Sequence, residues 1–188
     1  MDVTKVIEKI KITTSPLKRQ LLAVALISSL LEKKGKEPPV VIGGCALSYY
    51  SREVYFTADI DLAYADRKAL DKVLREIGFK REGRYWVNEG LEMAVEVPAT
   101  TLSGEDSLME IVEFDRGLIC RIIGVEDLIL DRLNACKHWK STIDCEMVEL
   151  LLQRYLDELD WSYLEKKASI PENETLDMLM DMRPRVKR

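Results

Sequence analysis

Two aspartates one residue apart, Asp59 and Asp61, are the residues of this chain whose type and spacing most clearly suggest chemistry. The residues around them predict a strand from Phe56 to Ala63. Side chains alternate between the two faces of a strand, so both carboxylates project from one face, roughly 7 Å apart, while Ile60 and Leu62 enter the core. Like charges at this spacing repel unless something positive lies between them, and a divalent cation is the usual answer. Asp-x-Asp also occurs on solvated strand faces and in loops, so the motif alone leaves both interpretations open.

A pair of glycines, Gly43 and Gly44, precedes the aspartates. The run Val40-Val41-Ile42 before them is short, apolar and β-branched, which predicts a buried strand that enters a glycine turn. Such a turn lets the backbone approach a phosphate closely. A short helix is expected from Cys45 to Ser51. Two glycines alone indicate only a turn, so the signal is their combination with the two acids.

At these residues the chain resembles the nucleotidyltransferase superfamily of polymerase-β-like folds. The signature of that superfamily is a strand, Gly-Gly or Gly-Ser, a short helix, and a second strand that carries Asp-x-Asp. The form here, Gly43-Gly44-Cys45-Ala46-Leu47 with Thr57-Ala58-Asp59-Ile60-Asp61-Leu62, is most similar to the small prokaryotic branch of AbiEii-type toxins. The resemblance covers roughly residues 40 to 151.

The resemblance implies transfer of a nucleoside monophosphate from a nucleoside triphosphate such as ATP to a hydroxyl, with two Mg²⁺ ions. It implies a tRNA or protein acceptor and a separate antitoxin partner. It also implies a third acid on a later strand. In Leu91–Val97 the acids alternate with apolar residues, and Glu96, just before Pro98, stands where that acid is expected; Glu92 is the fallback. The family often has aspartate there, and an exposed strand residue is the alternative interpretation of Glu96. The expected catalytic and metal-binding residues are therefore Asp59, Asp61 and Glu96.

Further residues are expected on the phosphate side of the site. Gly43 and Gly44 would offer backbone amides to the β- and γ-phosphates, and Thr57 would orient an acid or a metal-bound water. Ser48 resembles a phosphate-binding serine of the superfamily, although packing beside two tyrosines is the other interpretation. Lys137 and Lys140, three apart on a predicted helical face, would reach the triphosphate, or are ordinary solvated lysines. Asp144, beyond these lysines, resembles an acid that faces the nucleotide in AbiEii-type proteins, or is the partner of Ser141 in a capping box.

The remaining pattern predicts an α+β fold with a mixed sheet, flanking helices and a C-terminal helical extension. Residues 1–124 form the expected catalytic core with N-terminal helices, and residues 125–188 form the helical region. Two helices are expected before residue 35, separated near Ser15-Pro16, and another from about Arg67 to Ile77. Hairpins are expected around Asn88-Glu89-Gly90 and Asp115-Arg116-Gly117.

Composition narrows the classes of function. The chain has 188 residues and a net charge of −5, which excludes binding of nucleic acid by bulk charge, although the end, from Arg183 to Arg188, is basic. No apolar stretch is long enough to span a membrane, and no signal peptide is seen, so the expected location is the cytoplasm. The four cysteines lack zinc-type spacing and are expected to be buried free thiols. A second class of function stays open: a nucleotide-binding or protein-interaction module that keeps the pocket but does not turn over substrate.

Overall fold

A computed structural model describes residues 2–184 of the chain. Seven strands of this part form one sheet in the order β3-β4-β5-β2-β1-β7-β6. In chain order the strands are β1 (Val40–Ile42), β2 (Asp59–Ala63), β3 (Lys80–Glu82), β4 (Tyr85–Asn88), β5 (Met93–Ala99), β6 (Glu110–Phe114) and β7 (Leu118–Ile122). The helices are α1 (Val3–Ile12), α2 (Pro16–Glu32), α3 (Gly43–Tyr50), α4 (Arg67–Glu76), α5 (Val125–His138), α6 (Thr142–Arg154), α7 (Trp161–Ala168) and α8 (Leu176–Met182).

The sheet is mixed. Strand β1 is antiparallel to β2 and parallel to β7, while β2 is parallel to β5. The pairs β4–β5 and β6–β7 are antiparallel hairpins at the two predicted turns. These pairings confirm the predicted α+β class and both hairpins. Strand β3 escaped prediction because its three residues are all charged and exposed, so it carries no apolar alternation.

Helix α2 is the central helix of the core. Ser15 caps it by accepting the Lys18 N–H at 3.1 Å, and Pro16 occupies its first position, both as predicted. Its residues from Gln20 to Ser28 are all buried, and it contacts β7, α3 and α4. A helix that is apolar on nearly all sides must be enclosed by other elements, which accounts for the long apolar run in its sequence. In residues 2–184 no helix combines the length and apolar character that a membrane crossing requires.

Two predicted boundaries around the glycine turn were wrong. Helix α3 begins at Gly43 instead of Cys45, so both glycines belong to its first turn. Strand β2 begins at Asp59 instead of Phe56, whose side chain is 61% exposed. Phe56 is aromatic and β-prone in sequence, but it lies outside the sheet because no neighbouring strand pairs with residues before Asp59.

The prediction of four free thiols was wrong for two cysteines. Cys136 of α5 and Cys145 of α6 form a disulfide, whereas Cys45 and Cys120 are free and buried as expected. Neither member of the pair belongs to a short cysteine motif, and the bond forms because the tight α5–α6 connection brings the two helices together. Burial raises the pKa of the Cys45 thiol to about 12, which leaves that thiol protonated and unreactive.

The C-terminal helices pack against α5. The Glu126 carboxylate accepts the Asp160 N–H at 3.0 Å just before α7, and Arg183 after α8 pairs with Glu165 at 2.9 Å. Residues 185–188 of the predicted basic tail lie outside the described residues. The expected helical extension is therefore held together by contacts among its own helices, and α5 joins it to α3.

Candidate active site

The sheet places the three predicted acids on one face. Asp61 of β2 lies opposite Glu96 of β5 in a parallel pair, and Asp59 lies opposite Ala94. Register partners on neighbouring strands project from the same side of a sheet. Along both strands these residues are half-buried while the alternating neighbours Ile60, Val95 and Val97 are buried. The acids therefore share the face that opens toward solvent.

Glu92, the fallback for the third acid, lies outside this arrangement. It precedes β5 in a turn with a backbone φ of +52°, and its side chain is 81% exposed. Its carboxylate is 3.6 Å from Arg19 NH1. The strand register therefore favours Glu96 over Glu92 as the neighbour of Asp61.

The glycine turn is built around Asp61. Ile42 ends β1 opposite Asp61, and α3 begins at the next residue. Ile42 supplies no side-chain cap to α3; instead, Asp61 Oδ2 accepts the Gly44 N–H at 3.1 Å. Gly43 has a φ of +58°, and a Cβ there would collide with Asp61 Oδ2 and lie 3.0 Å from the Asp61 Cβ. Only glycine at position 43 combines this backbone with this close approach.

Thr57 supports the same turn from the other side. A Cβ on Gly44 would lie 3.2 Å from the Thr57 Cβ, so these residues already pack closely. The Thr57 hydroxyl accepts the Asp59 N–H at 3.3 Å, and its carbonyl accepts the Gln20 side-chain amide at 2.9 Å. Thr57 precedes β2 instead of lying within it, and its contacts orient the backbone that carries Asp59.

Negative charge is crowded at Asp61. Burial raises the pKa of the Asp61 carboxyl, the Gly44 N–H offsets part of this increase, and the nearby Glu96 and Asp59 carboxylates raise the pKa further. The Arg84 guanidinium lies on the same side, with its Nε 3.5 Å from Glu96 Oε1. A positive group is therefore already drawn to this set of acids.

The three acids suit Mg²⁺ in type. Carboxylate oxygens are the ligands that this ion prefers, and a cation would relieve the repulsion that raises the pKa of Asp61. In the described part of the chain, however, no three His, Cys, Asp or Glu side chains form a group ready to hold a metal ion. Glu96 is turned to Arg84, and one oxygen of Asp61 is bonded to Gly44. The strand register and the carboxylate groups suit Mg²⁺. In this structure, however, Glu96 and Asp61 contact Arg84 and Gly44 of the same chain.

A cavity of about 360 Å³ opens beside Asp61. Its size lies within the range of small-molecule sites. It lies between the glycine turn, the end of β5 and the second turn of α5, and is lined by Ile42, Gly43, Asp61, Pro98, Ala99, Thr101, Ser103, Ile123, Asp131 and Arg132. A second cavity of about 460 Å³ shares Ser103 and Asp131 with the first. The two cavities are therefore neighbours across these two residues.

Arg132 is the cation of the first cavity. Its side chain is only 18% exposed, with NH1 donating to Asp144 Oδ1 at 3.0 Å and Nε donating to Asp131 Oδ2 at 3.1 Å. Its charge also lowers the pKa of Asp61, against the larger effect of burial. Asp144 accepts this arginine with its carboxylate, and its backbone N–H donates to the Ser141 hydroxyl at 3.3 Å, which confirms the Ser141 cap.

The two lysines expected at the triphosphate are placed elsewhere. Helix α5 ends at His138, and Lys140 follows it with a left-handed backbone, φ +53°, so the predicted shared helical face of Lys137 and Lys140 was wrong. Lys137 donates to the Glu174 carbonyl. Neither lysine lines the first cavity. Ser48 is buried within α3, which favours the packing interpretation of that residue.

Arg132 was missed as a site residue, although the sequence carried a signal for it. Leu128, Arg132 and Cys136 are spaced by four, so they share one face of α5, and the outer two are buried. A charged residue within an apolar stripe needs a partner or a ligand. Ser103 and Thr101 carried no signal, because they lie in a segment without regular strand or helix.

Comparison with known proteins gives no family assignment. No protein-family model matches the chain, and no curated protein matches it. Among solved structures, the chain is similar to the solution structure of the antibiotic-resistance factor ANT(2'')-Ia, with a TM-score of 0.47 and 16% sequence identity. The match covers 93% of this chain and 98% of that chain. This similarity is too low to carry function across, so function is inferred from the site itself.

Proposed function

We propose that the protein is a nucleotidyltransferase that moves a nucleoside monophosphate from a nucleoside triphosphate to a hydroxyl and releases pyrophosphate. The observation that supports this most is the register of the acids: Asp61 and Glu96 lie opposite each other on neighbouring strands, with Asp59 on the same face. These acids lie beside the first turn of α3, which begins with two glycines, and beside a cavity lined by Arg132. This is the arrangement implied by the resemblance to polymerase-β-like nucleotidyltransferases.

Each group has a role in the proposal. Asp59, Asp61 and Glu96 are the carboxylates that would hold two Mg²⁺ ions. When bound, the ions lower the pKa of the attacking hydroxyl and stabilise the departing pyrophosphate. Gly43 and Gly44 keep side chains away from the phosphates, and the α3 amino terminus favours negative charge. Arg132, already paired with Asp131 and Asp144, would take the phosphate-binding place that the sequence assigned to Lys137 and Lys140.

The acceptor in this proposal is a hydroxyl of an RNA, such as a tRNA, or of a protein. A toxin role with a separate antitoxin follows from the same resemblance to AbiEii-type toxins. We place the acceptor group in the second cavity, which adjoins the first at Ser103 and Asp131. Six of its nine lining residues are polar or charged, which suits a hydroxyl-bearing group.

A second candidate function is a nucleotide-binding module of the same fold without turnover. The observation that favours it is the Arg84–Glu96 pair, in which a guanidinium occupies the carboxylate that a metal ion would need. In an enzyme a metal ion would bind the other oxygen of Glu96 or displace Arg84, whose side chain is 70% exposed. In a binding module no metal ion would compete with this pair.

The test is Mg²⁺-dependent release of pyrophosphate from each of the four nucleoside triphosphates, with total RNA or cell lysate as the source of acceptor. We expect release by the wild-type protein and a fall of at least about 100-fold in a variant with both Asp59→Asn and Asp61→Asn. Radiolabelled nucleotide then identifies the macromolecule that gains the label. Equal background signals in both proteins, together with retained nucleotide binding, would favour the binding module.

A further inference from the structure

Two adjacent links tie α5 to α6 next to the first cavity. One is the Cys136–Cys145 disulfide, and the other is the 3.0 Å bond from Arg132 NH1 to Asp144 Oδ1. Arg132 lies one helical turn before Cys136 on α5, and Asp144 directly precedes Cys145 on α6. The position of Asp144 relative to Arg132 is therefore coupled to the disulfide.

The first turn of α6 lies at the margin of the apolar core. Thr142 and Ile143 are exposed, Asp144 and Cys145 are half-buried, and the first fully buried residue of the helix is Val148. Lys140, in the connection before the helix, adopts a left-handed backbone that a lysine disfavours. The apolar core thus contacts α6 from Met147 onward, and the turn that carries Asp144 is held by the Ser141 cap and by the disulfide.

Arg132 depends on that turn for its direction. Of its two carboxylate partners, Asp131 is its own neighbour on α5 and moves with it, whereas Asp144 belongs to another helix. The hydrogen bond to Asp144 therefore fixes the position of the Arg132 guanidinium relative to α6. A flexible arginine loses side-chain freedom when it binds a phosphate, and an arginine already held in place loses less.

We propose that the Cys136–Cys145 disulfide is a redox-sensitive positioning bond for the nucleotide site. In the oxidised protein, Asp144 holds Arg132 against the cavity beside Asp61, and nucleotide binds tightly. In the reduced protein, the first turn of α6 is released, Arg132 loses its fixed partner, and nucleotide binds more weakly. This inference rests on the proposed function, because it assigns Arg132 to the phosphates of the nucleotide.

The redox step is a thiol–disulfide exchange with a low-molecular-mass dithiol. One thiolate of the dithiol attacks the sulfur of Cys145, which is the less buried of the two, and Cys136 leaves as a thiolate. The second thiol of the reagent then closes a ring on the first and displaces Cys145. Two electrons pass to the protein, which gains two thiols, and the reagent becomes a cyclic disulfide.

The experiment measures the dissociation constant of ATP in the presence of Mg²⁺ by calorimetry on the full chain, before and after treatment with dithiothreitol. Thiol titration of the denatured protein establishes the redox state: two thiols before treatment and four after it. We expect affinity to fall about 3- to 10-fold on reduction, the range given by loss of one ordered side chain. Far-UV circular dichroism on both samples verifies that the protein stays folded.

Three variants separate positioning from general loosening. The double variant Cys136→Ser, Cys145→Ser should bind ATP like the reduced wild type and should not respond to dithiothreitol. Asp144→Asn keeps the disulfide but loses the charge partner, so it should show the weaker affinity already in the oxidised state. Arg132→Ala should bind weakly in both states, with the redox effect removed.

Several results would overturn the inference. Four titratable thiols in the protein after mild oxidation would show that the bond does not form. Equal ATP affinity in both redox states, or tighter binding after reduction, would show that the bond does not position Arg132 for the nucleotide. If no form of the protein binds any nucleoside triphosphate, both the proposed function and the redox inference fail. The other two results contradict the redox inference alone.

Discussion

At the level of single residues, Asp61 links the fold to the proposed chemistry. Its carboxylate caps the start of α3 through the Gly44 N–H, and its Oδ2 fills the space beside Gly43 that a Cβ would need. It also shares a sheet face with Asp59 and Glu96. One side chain thus sets the shape of the glycine turn and contributes charge to the acid cluster.

Replacement of Gly43 by alanine tests this close approach. The matched control is Gly35→Ala, because Gly35 has a similar φ of +68° with nothing within 4 Å of an added Cβ. We expect Gly35→Ala to lower the free energy of unfolding by about 1 kcal/mol, the cost of a left-handed alanine. Gly43→Ala should cost at least about 1 kcal/mol more, since a collision with Asp61 is added. If both variants lost the same free energy of unfolding in guanidinium chloride, the Asp61 side chain would be able to move away from the new methyl group without cost.

Asp61→Asn tests the crowding of charge. Burial raises the folded-state pKa of Asp61 above its unfolded value, so the folded protein holds the proton more tightly. The contribution of Asp61 to the free energy of unfolding therefore falls as pH rises from about 4, the ordinary aspartate pKa, through the raised folded-state value. Asparagine resembles the neutral acid and retains an acceptor for Gly44. In EDTA, its stability relative to the wild type should rise over this pH range and level off above it.

The free energies of unfolding of the wild type and of Asp61→Asn are measured by urea unfolding at pH values from 3 to 8. A variant that is less stable than the wild type at neutral pH by about 2 kcal/mol or more would indicate that the charged carboxylate is structurally required. The proposed Mg²⁺-dependent release of pyrophosphate should be lost in the same variant, since an asparagine amide is a poor replacement for a carboxylate as a Mg²⁺ ligand.

At the level of elements, the register between β2 and β5 decides which glutamate joins the aspartates. Glu96 lies opposite Asp61, while Glu92 precedes the strand and turns to Arg19. A shift of register by one residue would move every side chain to the other face, so this choice is built into the sheet.

The pair Glu96→Gln and Glu92→Gln tests that choice. Both changes remove one negative charge and retain side-chain size. We expect Glu96→Gln to lower Mg²⁺-dependent pyrophosphate release at least about 10-fold and to raise the Mg²⁺ concentration needed for half-maximal rate. Glu92→Gln should leave both quantities within about twofold. A larger effect of Glu92→Gln than of Glu96→Gln would indicate that Glu92 is the third acid of the site.

The sequence predicted elements best where local pattern and tertiary packing agree. The Ser15-Pro16 helix start, both hairpin turns and the alternation around Asp59 and Asp61 are local features, and the structure contains them. The pairing of Asp61 with Glu96 came from resemblance, because strand order is a non-local property. The Cys136–Cys145 bond depends on how α6 packs on α5, which no local pattern specifies. The spacing of Arg132 with Leu128 and Cys136 indicated that it needs a partner or a ligand, but not that it lines a cavity beside Asp61.

At the level of the whole molecule, one apolar core extends across the expected boundary at residue 124. Leu128, Ile129 and Leu133 of α5 belong to the same buried cluster as the strands and α2. Polar contacts cross the boundary as well: Arg154 and the Tyr155 hydroxyl both donate to the Tyr50 carbonyl. We propose that residues 1–124 and 125–188 are two regions of one cooperative unit.

Equilibrium unfolding tests this cooperativity. Far-UV circular dichroism reports all the helices, and tryptophan fluorescence reports Trp86 in the sheet together with Trp139 and Trp161 in the helical region. We expect a single transition with the same midpoint by both probes in guanidinium chloride. Residues 1–124 expressed alone should lack a cooperative transition, because the face that α5 covers would be exposed. Two separated midpoints for the full chain would contradict a single unit.

The outermost strands of the sheet have a consequence for behaviour at high concentration. Strand β3 consists of Lys80, Arg81 and Glu82, all exposed, and β6 at the opposite border carries exposed Glu110 and Glu113. A strand from another molecule that docked along either border would have to bury or repel these charges. These charges oppose growth of the sheet into β-rich fibres at both borders, although β6 also exposes Ile111.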